Sequence, residues 1–306
     1  MGEAIVSTFP SVTGMGLESR MWLPQGEPRA VVQVVHGMAE HIARYDAAAK
    51  RLNDAGFLVV GHTHLGHGAA AGTLGWFADA KGWDAMVSDV HVLRLSTQAS
   101  YPNVPYFMLG HSMGSFIVRT YAQRYEDGLA GVILSGTGHF EPLILNAGLL
   151  IANLQCLFGG EKKPSKLLER ISFAGYNSGF DKVRTAFDWL SKDPEIVDAY
   201  IADPYCGFPF TAGGYRDMFR GLKNLYPQNL TGMDKDVPVY LLSGASDPVG
   251  ARGQGVRITA DELRAAGVRD VTVQLYEGGR HEMFNEVERQ KVLTDLIAWL
   301  QGKLHT

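Results

Sequence analysis

Short, mostly apolar runs recur toward both ends of the chain, at Val31–Val35, Phe57–Val60, Tyr106–Leu109, Val132–Leu134, Val239–Leu242 and Val271–Leu275. Read as continuous rather than alternating, they suit strands of a parallel sheet buried on both faces. Helical patterns lie between them. Trp83, Met86, Val87, Val90 and Leu93 recur at helical spacing, as do Leu293, Leu296, Ile297 and Leu300 near the end. Strand and helix in alternation require crossover connections and a doubly wound sheet. Ahead of the first parallel strand, Ile5–Val12 and Leu17–Leu23 flank Thr13-Gly14-Met15-Gly16, which predicts an antiparallel hairpin at one edge.

The alternation stops between Gly136 and about Met233 and resumes at Val237. The intervening stretch is rich in aromatics and carries helical patches without a strong strand. It predicts a helical cap at 137–233 inserted into a core made of 1–136 and 234–306, over the carboxyl ends of the strands, where open α/β sheets bind ligands. With 306 residues, 46% of them hydrophobic, the chain has ample material for a core without cross-links, and Cys156 and Cys206 make no disulfide framework. A net charge of −4 with no Lys/Arg cluster speaks against nucleic acid as a partner. MGEAIVSTFP shows no basic segment followed by an apolar run, so no signal peptide is expected, and the expectation is a cytoplasmic, soluble protein. The longest apolar stretch, Leu143–Phe158, is interrupted by Asn146, Asn153 and Gln155 and reads as too short to cross a membrane.

The chemistry concentrates after the third of the apolar runs, in Gly110-His111-Ser112-Met113-Gly114. Strand, Gly-x-Ser-x-Gly, helix is the pattern of a nucleophile elbow, whose turn is so tight that only glycine avoids clashes two residues either side of the serine. A serine hydroxyl needs a base, and the base needs an orienting group, in the chain order serine, acid, histidine. Asp247 follows the run at Val239–Leu242, and His281 lies in the loop after the last run. Each alone reads equally well as a turn or surface-loop residue. Together, at three strand ends in the required order, Ser112, Asp247 and His281 form a candidate triad. The oxyanion of an attacked carbonyl needs two fixed donors. The backbone N–H groups of Met113 and, after the first parallel strand, Met38 are the candidates, with His36, Gly37, Gly110, His111 and Gly114 shaping the site.

His36-Gly37-Met38-Ala39-Glu40-His41-Ile42-Ala43-Arg44-Tyr45 resembles the HG-x-x-EH-x-x-RY segment of monoacylglycerol lipases and related lysophospholipases, which have the α/β-hydrolase fold with a serine aminopeptidase-type core. His62-Thr63-His64-Leu65-Gly66-His67-Gly68 resembles that family's next loop, and the segments around Ser112, Asp247 and His281–Glu286 resemble its nucleophile, acid and base loops. The resemblance covers about 30–136 and 237–300. It implies a mostly parallel sheet of about eight strands flanked by helices, and a cofactor-free serine hydrolase of carboxylic esters with Met38 and Met113 as oxyanion donors. The small-molecule substrate implied is a monoacylglycerol, a lysophospholipid or a similar apolar ester. Thr63 departs from the family pattern, which usually has aspartate there.

Competing readings attach to several of these residues. His36, His41, His62, His64 and His67 invite a metal site, but zinc would want further ligands on other strand ends, and bonding between the two loops accounts for them, so no metal is expected. Leu143, Ala147, Leu150, Leu154 and Leu157 share one face of a helix. That face reads either as packing within the cap or as an apolar mouth with transient contact to a membrane or micelle. Amide hydrolysis of the prolyl iminopeptidase type needs an acidic cap residue, for which Glu161, Glu169, Asp193 and Glu195 are available. A non-catalytic binding relative would usually lack a triad member. Oligomeric state is left open.

Overall fold

One sheet of eight strands organises the chain, in the spatial order β1-β2-β4-β3-β5-β6-β7-β8. The structure, a computed structural model, describes residues 3–125, 128–226, 229 and 232–304. The strands are β1 (Ile5–Pro10), β2 (Gly16–Trp22), β3 (Ala30–Val35), β4 (Phe57–His62), β5 (Tyr106–His111), β6 (Gly131–Ser135), β7 (Val239–Gly244) and β8 (Val271–Tyr276). β1 and β2 form the expected hairpin, β2 pairs antiparallel with β4, and every other pairing is parallel.

The helices are α1 (Asp46–Asp54), α2 (Gly82–Ser100), α3 (Met113–Arg124), α4 (Pro142–Gln155), α5 (Lys166–Ser172), α6 (Pro194–Ala202), α7 (Ala212–Lys223), α8 (Gln254–Ala265) and α9 (Arg289–Lys303). On one face of the sheet, Leu52 of α1 and Leu293, Leu296 and Leu300 of α9 share a core with Val32, Val59, Phe107 and Ile133. On the other, Val87 and Val90 of α2, Ile117 of α3 and Leu263 of α8 share one with Val31, Leu58, Met108 and Leu134. Burying each such side chain contributes about 1.5–3 kcal/mol, which is why β3 to β7 need apolar residues on both faces. The polar residue inside β3, Gln33, is satisfied: its Nε2 donates to the Val90 carbonyl at 2.9 Å, and its Oε1 accepts from the Tyr106 hydroxyl at 2.5 Å.

β8 departs from the two-face expectation. It is an edge strand, half-buried along nearly its whole length, and its Val-Thr-Val-Gln-Leu alternates as an edge strand should. Between β6 and β7 the described chain adds no strand to the sheet and instead runs through α4 to α7, the stretch expected to be helical.

The apolar face of α4 lies opposite to where packing within the insertion would put it. Leu143 is 80% exposed, Leu150 and Leu154 are exposed too, and Leu145 and Ala152 are buried instead. The buried side packs on α7, close enough that a β-carbon on Gly148 would lie 2.9 Å from the Phe219 ring. The helical run also continues beyond Gln155 through a π-helical turn, Cys156–Gly160, kinked at Phe158 and Gly159. The 19 residues Pro142–Gly160 meet the length and apolarity needed to cross a membrane, more than the polar interruptions suggested, although the helical backbone breaks at the Phe158–Gly159 kink.

Candidate active site

The strand order turns back at β3, with β4 on one side and β5 on the other. A crevice opens at such a reversal, at the carboxyl ends of the strands. Val35 pairs with Gly110 there, so the loop after β3 and the loop after β5 leave the sheet side by side.

Ser112 occupies the turn between β5 and α3 with φ 52° and ψ −122°, a conformation that L-residues rarely adopt. Two close approaches hold it there. A β-carbon on Gly114 would lie 2.0 Å from the Val35 carbonyl oxygen, and one on Gly110 would lie 2.4 Å from the Gly114 carbonyl oxygen. The Ser112 N–H is tied to the Ser135 carbonyl at 2.9 Å.

His281 Nδ1 lies 2.9 Å from Asp247 Oδ2, and both residues are buried. Asp247 also accepts from the Ser243 hydroxyl at 3.0 Å and the Val249 N–H at 2.9 Å. With Nδ1–H donating to the carboxylate, Nε2 keeps its lone pair. Burial alone would lower the pKa of His281, but the charge of Asp247 and its hydrogen bond outweigh it and the net shift is upward. Burial pushes the Asp247 carboxyl up, and His281 with the other donors more than reverses this, leaving it below the usual range. Ser112 and His281 line the same cavity, and no hydrogen bond joins them among the described residues, an arrangement common before a substrate closes the site.

That cavity measures about 470 Å³ and is also lined by Gly37, Met38 and His111. Gly37 N–H is taken by Glu40 at 2.6 Å, and Ala39 N–H by His67 Nε2 at 3.2 Å. Neither the Met38 nor the Met113 N–H meets an acceptor among the described residues. The Met113 side chain itself is buried in the core, so only its backbone is available to the site.

The histidines of the two flanking loops form a bonded chain of neutral rings. His36 Nδ1 is 2.8 Å from the Gly37 carbonyl, which makes it the protonated nitrogen, and His36 Nε2 accepts the His64 N–H at 2.9 Å. His64 Nε2 is 3.2 Å from the His36 carbonyl and its Nδ1 is 3.2 Å from His62 Nε2, which must therefore donate. The lone pair on His62 Nδ1 is left over. A second proton on His36 or His64 would face a donor, so the tautomers leave no room for charge on these two rings. Burial holds His62 at about 3 and His67 at about 4, and holds His36 and His64 well below the usual value. His111, at about 3, is lowered by burial and by the adjacent His281, whose ring centroid is 4.7 Å away. Thr63 braces the loop weakly, its hydroxyl 3.5 Å from the Ile42 N–H. His41 stands apart. Its Nε2 lies 2.8 Å from Asp203, and with Cys206 these are, among the described residues, three side chains whose donor atoms, all within 4.8 Å of one another, are of a kind to hold a metal ion.

Residues from the insertion complete the walls. Of the aromatics expected there, Tyr176, Trp189, Tyr200 and Phe208 line the cavity, joined by Phe173 and Phe187; Phe180, Tyr205, Phe210, Tyr215 and Phe219 do not line it. Of the four acids, Glu169 reaches the cavity. Glu161 pairs with Arg216, Asp193 caps α6 and pairs with Arg289, and Glu195 lies in the first turn of α6.

Sequence reasoning did not find the ionic cluster behind the site. Arg44 Nη1 and Nη2 each donate to one oxygen of Glu282 at 2.7 Å, and Nη1 also donates to Glu40 at 2.7 Å. Glu40 Oε1 takes the Gly37 N–H and the Tyr45 hydroxyl. Despite burial, Arg44 pulls the Glu282 carboxyl down to about 2, whereas burial and the Glu282 charge raise Glu40. The quoted HG-x-x-EH-x-x-RY segment contains Glu40, Arg44 and Tyr45, but nothing in one sequence joins them to Glu282. Gly136 was also missed: a β-carbon there would lie 2.9 Å from the His281 ring.

Residues 26–288 match the family model described as Serine aminopeptidase, S33. The chain is similar to the monoacylglycerol lipase of Mycolicibacterium smegmatis, 31% identical over 97% of both chains. It is similar also to the monoglyceride lipase of Homo sapiens, 28% identical over 96% of this chain and 89% of that one. Among solved structures, a thermostable carboxyl esterase from Bacillus coagulans in complex with glycerol superposes with a TM-score of 0.92 at 30% identity, over 99% of this chain and all of that one.

Proposed function

The chain belongs to the family described as Serine aminopeptidase, S33, and from that premise we propose that it is a serine hydrolase cleaving monoacylglycerols, lysophospholipids or similar small apolar esters without a cofactor. The observation that carries the proposal is the shared cavity. Ser112 and His281 open into it, Asp247 orients the imidazole from behind, and aromatic side chains wall it. In the proposed mechanism Ser112 attacks the ester carbonyl while His281 Nε2 takes its proton, and Asp247 stabilises the imidazolium without being protonated itself. The Met38 and Met113 N–H groups hold the oxyanion, the alcohol departs with the proton from His281, and water repeats the path to release the acid. The stretch 137–233 acts as the cap. The exposed leucines of α4 and Phe158, 82% exposed, offer a greasy surface for transient contact with a membrane or micelle.

The named relatives support the ester reading. Glu169 in the cavity favours a second one, in which it holds a substrate ammonium and the enzyme cleaves an amide. A p-nitrophenyl ester series from acetate to palmitate, run beside a proline anilide, separates them. Each buried methylene is worth about 0.8 kcal/mol, so kcat/KM should climb by up to about fourfold per methylene until the cavity is full. Turnover of the anilide alone would favour the amide reading. Ser112→Ala should lower either activity by about a thousandfold or more with circular dichroism unchanged; a variant retaining several per cent of turnover would remove Ser112 from its role.

A further inference from the structure

Two loops that have no strand pairing in common meet behind the site. One carries Gly37, Met38 and Glu40 after β3; the other carries His281 and Glu282 after β8. In the sheet, β3 and β8 are separated by β5, β6 and β7, so no direct backbone pairing ties a donor on the first loop to a base on the second. Arg44 spans the gap. Its guanidinium fork holds both oxygens of Glu282, the residue directly after His281, and one oxygen of Glu40, whose other oxygen holds the Gly37 N–H beside Met38. Glu40 and Glu282 are buried and Arg44 is 12% exposed, a setting in which a carboxylate–guanidinium fork is geometrically exacting and only partly screened.

We propose that Arg44 is a positioning residue that sets the oxyanion donor at Met38 and the base His281 in register with each other, and that the two carboxylates it binds supply the surplus negative charge that favours the imidazolium during turnover. The proposal rests on the triad reading above. One guanidinium against two carboxylates leaves a unit of negative charge behind the imidazole. The other groups facing His281 are Asp247 after β7, the uncharged His111 at the end of β5, and, across Asp247, Tyr176 from the insertion, a neutral phenol whose pKa burial raises. The Ala39 carbonyl takes the Gly207 N–H and the Tyr200 hydroxyl, both at 3.0 Å, and Glu282 N–H donates to the Leu190 carbonyl at 2.8 Å. Both loops are therefore clamped on their cavity side as well, and a shift at Arg44 is transmitted to the site rather than absorbed.

Two variants test this, with active enzyme counted by titration with a fluorophosphonate so that misfolded material drops out. Arg44→Lys keeps the charge and loses the fork. The expected result is a kcat lowered by about tenfold to a hundredfold, as for a displacement of an ångström or less, with KM changed by less than about threefold. Glu282→Gln keeps the shape and removes one negative charge, and the acid limb of its kcat/KM profile should move to lower pH. A purely structural role would lower Tm and the titratable fraction, leaving kcat per active site and the acid limb where they are in the wild type. That result overturns the proposal. A wild-type profile with no acid limb would instead remove His281 as the base, and the proposal with it.

Discussion

His281 differs from the other buried histidines in having a carboxylate partner, and its titration should govern the rate. Its pKa stands above the ordinary 6.5, because Asp247 outweighs burial. The proposed mechanism requires the unprotonated Nε2, so turnover should fall as pH drops through that raised value, and the acid limb of kcat/KM should sit above pH 6.5. Initial rates from pH 5 to 9 on a p-nitrophenyl ester decide it; a rate flat down to pH 5 excludes His281 as the base. Gly114 is the second residue on which the site turns. Gly114→Ala puts a methyl group 2.0 Å from the Val35 carbonyl oxygen, which neither strand nor helix can evade without shifting the elbow. Overpacking of this kind should cost about 1–3 kcal/mol and lower Tm by about 2–12 °C, with a larger proportional loss of turnover; an unchanged melting curve would mean the elbow gives way easily. The candidate grouping of Ser112, Asp247 and His281 could be drawn from the sequence because each lies in the loop or turn shortly after an apolar run, where a strand end must be. Glu282 could not, because its partner Arg44 lies 238 positions away and only the folded sheet brings them together.

At the scale of elements, α4 shows the limit of periodicity. Helical spacing marked Leu143, Ala147, Leu150, Leu154 and Leu157 as one face, but the other side offers Leu145, Leu149 and Ala152, and only the position of α7 decides which is covered. β8 made the same point from the sheet: its alternation was visible, and its place at the edge was not. The exposed side of α4 should bind lipid. Replacing Leu150, Leu154 and Leu157 together by serine should weaken sedimentation with phosphatidylcholine vesicles by about tenfold or more, while turnover of a soluble butyrate ester stays within twofold. Equal binding by the triple variant would assign that face some other role.

Among the described residues, five buried imidazoles, His36, His62, His64, His67 and His111, have pKa values that are all depressed on folding. Unfolded, each would take a proton near pH 6.5; folded, each resists until far lower pH. Below pH 6.5 the unfolded chain therefore binds more protons, and stability present above that value is lost as pH falls, by as much as about 1.4 kcal/mol per unit per histidine. His281, with its raised pKa, works the other way: it adds stability below pH 6.5 that disappears as pH rises through its folded value. Asp89, whose carboxyl burial raises to about 6, also takes its proton first in the folded state and opposes the loss; five histidines outweigh these two, and Tm should fall between pH 6.5 and 4.5. A Tm constant to pH 5 by calorimetry would show that the cluster accepts protons without unfolding.

The long excursion between β6 and β7 has a consequence in time. Ser112 and both proposed oxyanion donors are synthesised early, whereas Asp247 and His281 emerge only after the roughly one hundred residues that separate the two strands, and β7 cannot dock on β6 until then. An interrupted or clipped nascent chain thus holds the proposed nucleophile with nothing to activate it. Completion of translation becomes the moment at which the hydrolase is armed.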